Sequence, residues 1–417
     1  MNIHSYSLDN GLNIYIKPDS RAPVVLSQIW YKVGSTYEPK GLTGISHMLE
    51  HMMFKGTDKY TKEQMNSLVE NNGGAQNAFT SFDYTAYYQF WHKKNLELSL
   101  SLESSRMSNL LFDNNEFMPE KKVVLEERSL RVDDKAISYA FEQFMQLAYK
   151  ANSRHVPIIG WREDIEGYTL ANLKSWYQQN YAPNNASIVI VGDVDASSTH
   201  SMIKECFSNT HRSQIPKLPL EPTLLNAGYR HTQVQKSPND TEVIIMGYMS
   251  PSLTTSYSDN DPFALMILNS ILGDADASIL QQKLTRDESL CCDIDSEYSP
   301  FIRGEDIFII TAIANQDQNL ENIQERIESI ISDLQKNSVT EAQLNRAKVV
   351  IKSDKIFSMD SLETQANLIG SLASINLDVH YYKYIDKLYD VTVKDIDRVL
   401  NRYFSKENLT SLHLLKD

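Results

Sequence analysis

Two segments of this chain, 223 residues apart, repeat the same order of residue types. In each, a threonine begins a predicted helix, apolar residues follow at four-residue steps and an asparagine ends the pattern. The residues are Thr169, Leu173, Tyr177, Tyr181 and Asn185 in the first copy and Thr392, Ile396, Leu400, Phe404 and Asn408 in the second. Similarity at one fixed offset is typical of duplicated structure. The pattern therefore predicts two similar halves.

The length of the chain agrees with a division into two domains. At 417 residues it exceeds the roughly 250–300 residues at which a single core stops growing. Three prolines between residues 211 and 223 lie in a stretch without apolar periodicity, which is typical of a linker. We predict domains at 1–210 and 224–417, joined by a linker at 211–223. Because strands and helices intermingle without regular βαβ alternation, we expect an α+β fold of two homologous α/β-sandwich domains, each a mixed sheet with helices packed on it.

Composition excludes several classes of protein. A net charge of −14 argues against a nucleic-acid partner, because binding phosphates requires clustered Lys and Arg. No stretch approaches the ~18 consecutive apolar residues of a membrane span. The first residues lack the pattern of an export signal, and three cysteines cannot form a disulfide framework. We expect a cytoplasmic protein, with a periplasmic location as the alternative if an export signal has been removed.

The motif His47-Met-Leu-Glu50-His51 lies within a stretch, 44–55, whose apolar spacing predicts a helix. Residues four apart share one face of a helix, so the two imidazoles can bind one metal ion. Glu50 lies three residues after His47 and can reach a water on that ion. This is the inverted form of the zinc-peptidase motif H-E-x-x-H. It predicts His47 and His51 as zinc ligands and Glu50 as the catalytic base.

Two histidines leave zinc short of a ligand, since catalytic zinc sites usually have three protein ligands and a water. Residues 120–131 predict a helix on which Glu120 and Glu127, nearly two turns apart, project from one face. Glu126 is adjacent to Glu127, and the spacing alone does not choose between them. Glu127 as an ordinary surface carboxylate, and Glu120 as a residue that favours the helix dipole beside Pro119, remain alternatives at this point.

These motifs resemble the inverzincin peptidases, the family that includes pitrilysin, insulin-degrading enzyme and the mitochondrial processing peptidase. The resemblance covers nearly the whole chain and extends to Pro157–Trp161 and to Tyr181-Ala-Pro-Asn-Asn. It implies a zinc-dependent endopeptidase that hydrolyses peptides or unfolded segments with one Zn²⁺ per chain. The family spacing of 76 residues after the second histidine implies Glu127 as the third ligand, and the glutamate seven positions earlier, Glu120, as its support.

The resemblance also implies how a peptide substrate binds. In the family, an edge strand pairs with the extended substrate through main-chain hydrogen bonds. The matching segment of this sequence is Asn77-Ala-Phe-Thr80, of which we expect Asn77, Ala78 and Phe79 to bind substrate.

One part of the family pattern is missing. An Arg and a Tyr seven positions apart complete family sites, but the matching positions here are Thr285 and Cys292, with Arg286 one residue out of register. We therefore expect a homologous partner subunit to supply the pair in a heterodimer, with a homodimer that uses Arg286 as the alternative. The same absence leaves a second hypothesis about function, a peptidase-like scaffold or assembly subunit that performs no hydrolysis.

Overall fold

The computed structural model describes residues 2–216, 227–237, 241–256, 260–274 and 277–416, and these form two compact units. The first unit groups the described residues of Met1–Arg128, Val156–Pro219 and Ser358–Tyr381. The second groups those of Ser129–His155, Leu220–Phe357 and Tyr382–Asp417. Residues 217–223 of the predicted linker lie outside the described residues.

The first unit contains a mixed sheet of six strands. They are β1 (His4–Ser7), β2 (Asn13–Pro18), β3 (Val24–Tyr31), β4 (Ala75–Thr80), β5 (Thr85–His92) and β6 (Ala186–Gly192). Their order is β1-β2-β6-β3-β5-β4, which leaves β4 at an edge. The strands β2 and β6 are parallel and the remaining neighbours are antiparallel.

The second unit repeats this arrangement with five strands. They are β7 (Arg230–Ser237), β8 (Val243–Ser250), β9 (Cys291–Glu297), β10 (Asp306–Ala314) and β11 (Leu409–Lys416), in the order β7-β11-β8-β10-β9. Here too one pair, β7 with β11, is parallel and the others are antiparallel. The predicted α+β fold with two mixed sheets is thus confirmed.

Helices pack on both sheets. Those in the first half of the chain are α1 (Ile45–Met52), α2 (Lys62–Asn71), α3 (Leu96–Ser108), α4 (Asn114–Arg128), α5 (Ala136–Ala148), α6 (Arg162–Gly167), α7 (Leu170–Asn180) and α8 (Ala196–Phe207). Those in the second half are α9 (Asp261–Leu272), α10 (Leu320–Asn337), α11 (Glu341–Ser358), α12 (Leu362–Ser374), α13 (Tyr382–Lys387) and α14 (Val393–Tyr403). Within the described part of the chain, none combines the length and apolar character that a membrane crossing requires.

The repeated pattern has the same structural role in both copies. Thr169 begins α7 and Thr392 begins α14, each through a reciprocal capping box with the residue three positions later. At the other end, the Asn185 side chain donates to the Asn180 carbonyl at 2.9 Å, and Asn408 donates to the Tyr403 carbonyl at 2.7 Å. The two halves therefore use equivalent residues to begin a helix and to direct the chain into a strand.

One helix from each half belongs to the compact unit of the other half. Helix α5 packs on the second sheet, where Ala140 and Phe144 join its core, although it lies within the predicted domain 1–210. Helix α12 packs on the first sheet, although it lies within the predicted domain 224–417. The compact units thus differ from contiguous domains at these segments. The physical reason is that each sheet has a second apolar face, which needs a helix to cover it.

The contact of α12 with the first sheet depends on a glycine. A Cβ added to Gly370 would lie 2.0 Å from the Cε2 atom of Trp30, whose buried indole is part of the core between α12 and β3. Gly370 therefore allows the helix backbone to approach the indole ring more closely than any other residue would.

We expect Gly370→Ala to destabilise the protein by about 1–3 kcal/mol, because relieving the clash requires the indole or the helix to move. This loss outweighs the roughly 1 kcal/mol by which alanine favours a helix over glycine. The thermal unfolding midpoint measures the change. Gly167→Ala is the matched control, since an added Cβ at Gly167 meets nothing within 4 Å. Equal midpoints for the two variants would contradict this account of the packing.

Candidate metal centre

Helix α1 combines a core face with the inverted motif. Ile45, Met48, Leu49 and Met52 are fully buried in the core of the first unit. The remaining positions place His47, Glu50 and His51 at helical spacings of three and four residues, as predicted. Burial of the apolar face holds the helix against the core, so the two imidazoles have a fixed support.

Two acidic side chains hold the beginning of α1. The carboxylate of Glu38 accepts hydrogen bonds from the backbone N–H groups of Gly44 at 2.7 Å and Ser46 at 2.8 Å. Burial raises the pKa of Glu38 to about 8, although these two donors oppose the shift. Asp164 accepts from the backbone and the hydroxyl of Thr43 at 3.1 and 2.6 Å. Acidic acceptors at a helix N-terminus satisfy its unpaired N–H groups and favour its dipole.

A contact between two glycines connects the beginning of α1 to the end of α4. A Cβ on Gly44 would lie 2.2 Å from the carbonyl oxygen of Ile159, and one on Gly160 would lie 2.3 Å from that of Thr43. Both glycines have positive φ, 82° and 89°. The Gly160 carbonyl accepts a hydrogen bond from the Nη1 atom of buried Arg128 at 2.8 Å. Arg128 directly follows Glu127, so this contact connects the two helices that carry the predicted ligands.

The structure brings the three predicted ligands together. The Nε2 atom of His51 lies 3.3 Å from Oε2 of Glu127, and Nε2 of His47 lies 3.8 Å from the same oxygen. One ligand atom from each residue lies within 4.8 Å of those from the other two. In the part of the chain that the structure describes, this is the one group of three or more His, Cys or acidic residues close enough to share an ion.

These distances fit zinc. Nitrogen and oxygen ligands about 2.0–2.1 Å from zinc in a tetrahedron are about 3.3–3.5 Å apart. The separations of 3.3 and 3.8 Å in the structure are at and slightly above that range. Two imidazoles and one carboxylate also form a known ligand set of catalytic zinc, which leaves a fourth position for water.

Glu120 orients one of the histidines. Its Oε1 atom lies 2.8 Å from Nδ1 of His51, so a proton on Nδ1 leaves Nε2 directed at Glu127. Burial would lower the pKa of His51, but the hydrogen bonds to Glu120 and Glu127 raise it to about 9. Burial would raise the pKa of Glu120, but His51 and the ammonium of Lys55 lower it to about 2. A metal ion that binds here must therefore displace a proton from His51, whose imidazole lies between the carboxylates of Glu120 and Glu127.

The helix-dipole explanation of Glu120 is wrong. Helix α4 begins at Asn114, so Pro119 lies inside the helix and Glu120 is beyond its first turn. The contacts of Glu120 with His51 and Lys55 explain its position instead.

The proposed base, Glu50, contacts the strand at the sheet edge. Its Oε2 atom accepts a hydrogen bond from the hydroxyl of Thr80, the last residue of β4, at 2.5 Å. Glu50 is also close enough to His51 to raise the pKa of that imidazole. The carboxylate is thus held beside the ligand group by a residue outside its own helix.

The predicted substrate residues lie on β4, whose pairing with β5 alone leaves one edge open. Asn77 is exposed, and its side-chain oxygen accepts from the backbone N–H of Ala78 at 2.9 Å. Ala78 packs against the core that contains α1. The Phe79 ring packs instead against Trp30, in the core beneath α12. The strand therefore offers its edge and the Ala78 face toward α1, whereas the Phe79 side chain occupies the opposite face.

The positions at which the family has its Arg and Tyr lie in the second unit. Thr285 is part of a wide helical turn, Gln281–Asp287, and Cys292 is an exposed residue at the start of β9. Arg286, next to Thr285, is exposed. Thr285 and Cys292 therefore provide neither the guanidinium nor the phenol that the family pattern has at these two positions.

Sequence reasoning missed several residues that hold the site. Glu38, Asp164 and Arg128 act through partners far away in the sequence, so no local pattern indicates them. Gly160 was visible only as part of the stretch Pro157–Trp161. Thr80 is the last residue of the segment Asn77–Thr80 that matches the family's edge strand, but no role was assigned to it.

Comparisons with known proteins agree with this geometry. Residues 14–160 match the family described as Insulinase (Peptidase family M16), and residues 167–350 match the Peptidase M16 inactive domain. Zinc protease PqqE of Helicobacter pylori is 31% identical to this chain, and the match covers 98% of this chain and 92% of the relative. The mitochondrial-processing peptidase subunit beta of Lentinula edodes is 25% identical, with 95% and 86% of the two chains covered.

A solved structure has the same fold. The crystal structure of a protease from Helicobacter pylori superimposes on this chain with a TM-score of 0.92. The two share 31% identity, and the match covers 99% of each chain.

We expect Glu127→Gln to weaken zinc binding at least about 100-fold, because the variant loses an anionic ligand. The variant Glu126→Gln should leave the zinc affinity within about twofold of wild type. Glu126 is the matched control because it is adjacent and exposed. Chelator competition measures both affinities. An equal loss in the two variants would show that Glu127 is not a ligand.

Proposed function

Because this chain belongs to the M16 family of peptidases, we propose that it is a zinc-dependent endopeptidase that hydrolyses peptides or unfolded polypeptide segments. The observation that carries the proposal is the convergence of His47, His51 and Glu127 with Glu50 one position before the second histidine. A zinc store would be closed by four protein ligands and would need no base beside them. Names of relatives that include "zinc protease" support the choice of metal and reaction.

The residues of the chain have separate roles in this reaction. Zinc at the three-ligand site would polarise a water molecule and lower its pKa to about 7. The carboxylate of Glu50 takes a proton from the attacking water and later gives it to the leaving amine. Glu120 keeps the proton of His51 on Nδ1, and the open edge of β4 binds the peptide main chain through backbone hydrogen bonds.

A scaffold or assembly subunit without hydrolytic activity is the second candidate. Thr285 and Cys292 favour it, because neither offers the charge or the phenol that the family uses to bind substrate and stabilise developing charge. The match of residues 167–350 to the inactive domain of the family favours neither candidate, since the proposed ligands and base all lie within residues 14–160, which match the peptidase family itself. The retained base and ligands favour the peptidase.

We expect Glu50→Gln to keep its zinc but lose nearly all peptide hydrolysis, because the amide cannot accept the proton and Glu50 is not a ligand. Elemental analysis and cleavage of an unfolded polypeptide substrate measure the two properties. His51→Ala is the control that loses both zinc and activity. Undiminished cleavage by Glu50→Gln would refute the mechanism, and an inactive wild type that binds zinc would favour the scaffold.

We also propose that the chain is the zinc-bearing half of a heterodimer. Its partner would be a homologous subunit of similar length that lacks the inverted motif but keeps the Arg and Tyr pair. A homodimer that uses Arg286 is the alternative.

The proposed compartment is the cytoplasm, with the periplasm as the alternative if an export signal has been removed.

Addition of the partner should raise the rate of peptide cleavage without a change in zinc content. Co-purification from the native cell would identify the partner, and kinetics of the two subunits, alone and mixed, would measure the rates. Full activity of the isolated chain that is abolished by Arg286→Ala would exclude the heterodimer and support the homodimer.

A further inference from the structure

The hydroxyl of Thr80 is held in place by the hairpin that joins β4 to β5. Thr80 pairs with Thr85 across the turn, and the backbone N–H of Ser81 donates to the Tyr84 carbonyl at 2.8 Å. The turn is tied to the segment after β3, because Thr36 donates from its backbone N–H to the Phe82 carbonyl at 3.0 Å. Thr80 therefore offers its hydroxyl from a rigid position at the end of the edge strand.

Glu50, in contrast, has a long side chain on a helix, and several rotamers are open to such a side chain in general. The 2.5 Å hydrogen bond from the Thr80 hydroxyl selects one of them and engages one named oxygen, Oε2. Hydrogen bonds to charged acceptors are short and strong, so this one can determine where the carboxylate lies. Proton transfer depends on the position of the acceptor, and a misplacement of about 1 Å can cost about 100-fold in rate.

We propose that Thr80 is a positioning residue for the catalytic base, which it holds in the orientation that accepts the proton of the attacking water. The inference rests on the proposed peptidase function. Its consequence is that the strand expected to bind the peptide main chain also fixes the base. The scissile bond and the proton acceptor are then placed by one element, β4, and not by two that move independently.

Thr80→Val tests the proposal, because valine keeps the shape of threonine and removes the donor. We expect kcat to fall about 10–100-fold, the range typical of residues that orient functional groups. KM and zinc content should remain within about twofold of wild type, since neither the strand edge nor a ligand changes. Thr80→Ser should restore most of kcat, because serine returns the donor. Each protein is purified with any subunit that accompanies the wild-type chain.

Thr85→Val is the matched control. Its hydroxyl donates to the Val33 carbonyl at 2.9 Å, so the variant also loses a hydroxyl hydrogen bond in the same hairpin, but not one to Glu50. An equal fall in kcat for Thr80→Val and Thr85→Val would assign the effect to hairpin stability and overturn the proposal. So would a Thr80→Val enzyme with wild-type kcat, or a Thr80→Ser enzyme as impaired as Thr80→Val.

A second measurement does not depend on turnover. Crystal structures of metal-free wild type and Thr80→Val should differ at Glu50, whose carboxylate leaves its position in the variant or spreads over several rotamers. An unchanged Glu50 would overturn the proposal even if kcat fell. A wild-type protein that cleaves no peptide would instead remove the proposed function together with this inference, whereas an active wild type and an equally active Thr80→Val would remove the inference alone.

Discussion

The approach of Gly44 to Gly160 is the constraint on which the metal centre depends. Zinc ligands tolerate errors of only about 0.2 Å, yet the two histidines and Glu127 lie on different helices. The glycine contact places the first turn of α1 against the loop before α6 without any side chain between them, and Arg128 ties the end of α4 to the same loop. The distance between the imidazoles and Glu127 is therefore set by backbone contacts and one buried guanidinium. These contacts are less deformable than contacts between flexible side chains.

The carboxylates around His51 also determine the electrostatics of this group. Glu50, Glu120 and Glu127 all lower the energy of a positive charge at His51, which is why its pKa is raised to about 9 in spite of burial. The same three carboxylates also favour a divalent cation at this position, because such an ion carries twice the positive charge of a proton. Both carboxylate oxygens of Glu120 have partners, Oε1 at Nδ1 of His51 and Oε2 at the ammonium of Lys55, and Lys55 neutralises part of the negative charge.

Local patterns predicted the parts of the structure that depend on neighbours in the sequence. The motif helix and the repeated helix starts at Thr169 and Thr392 were predicted, because each depends on residues within one or two turns. Contacts between distant segments were not predicted: α12, whose Ala366 packs in one core cluster with Ala86 of β5, comes from residues 362–374. The apolar residues Val123 and Leu130 of the predicted helix 120–131 are 46% and 66% exposed, because the apolar pattern alone does not show which side of a helix meets the core. Family spacing chose Glu127, whereas helix geometry alone left it equal to Glu126.

Comparison of the two halves explains why the described residues of this duplicated fold contain one candidate metal group. Helix α9 follows β8 as α1 follows β3, so the two occupy the same place in the chain order of their units. Every residue of α9 except Met266 is buried, and its sequence has no histidine or glutamate. A helix that is buried on nearly all sides belongs to the core. Helix α1 instead has polar residues on one face. This does not disrupt the fold, because its other face still packs in the core. The candidate metal group of the first half therefore depends on a few side chains of two helices, α1 and α4, and the fold common to both halves does not by itself imply such a group.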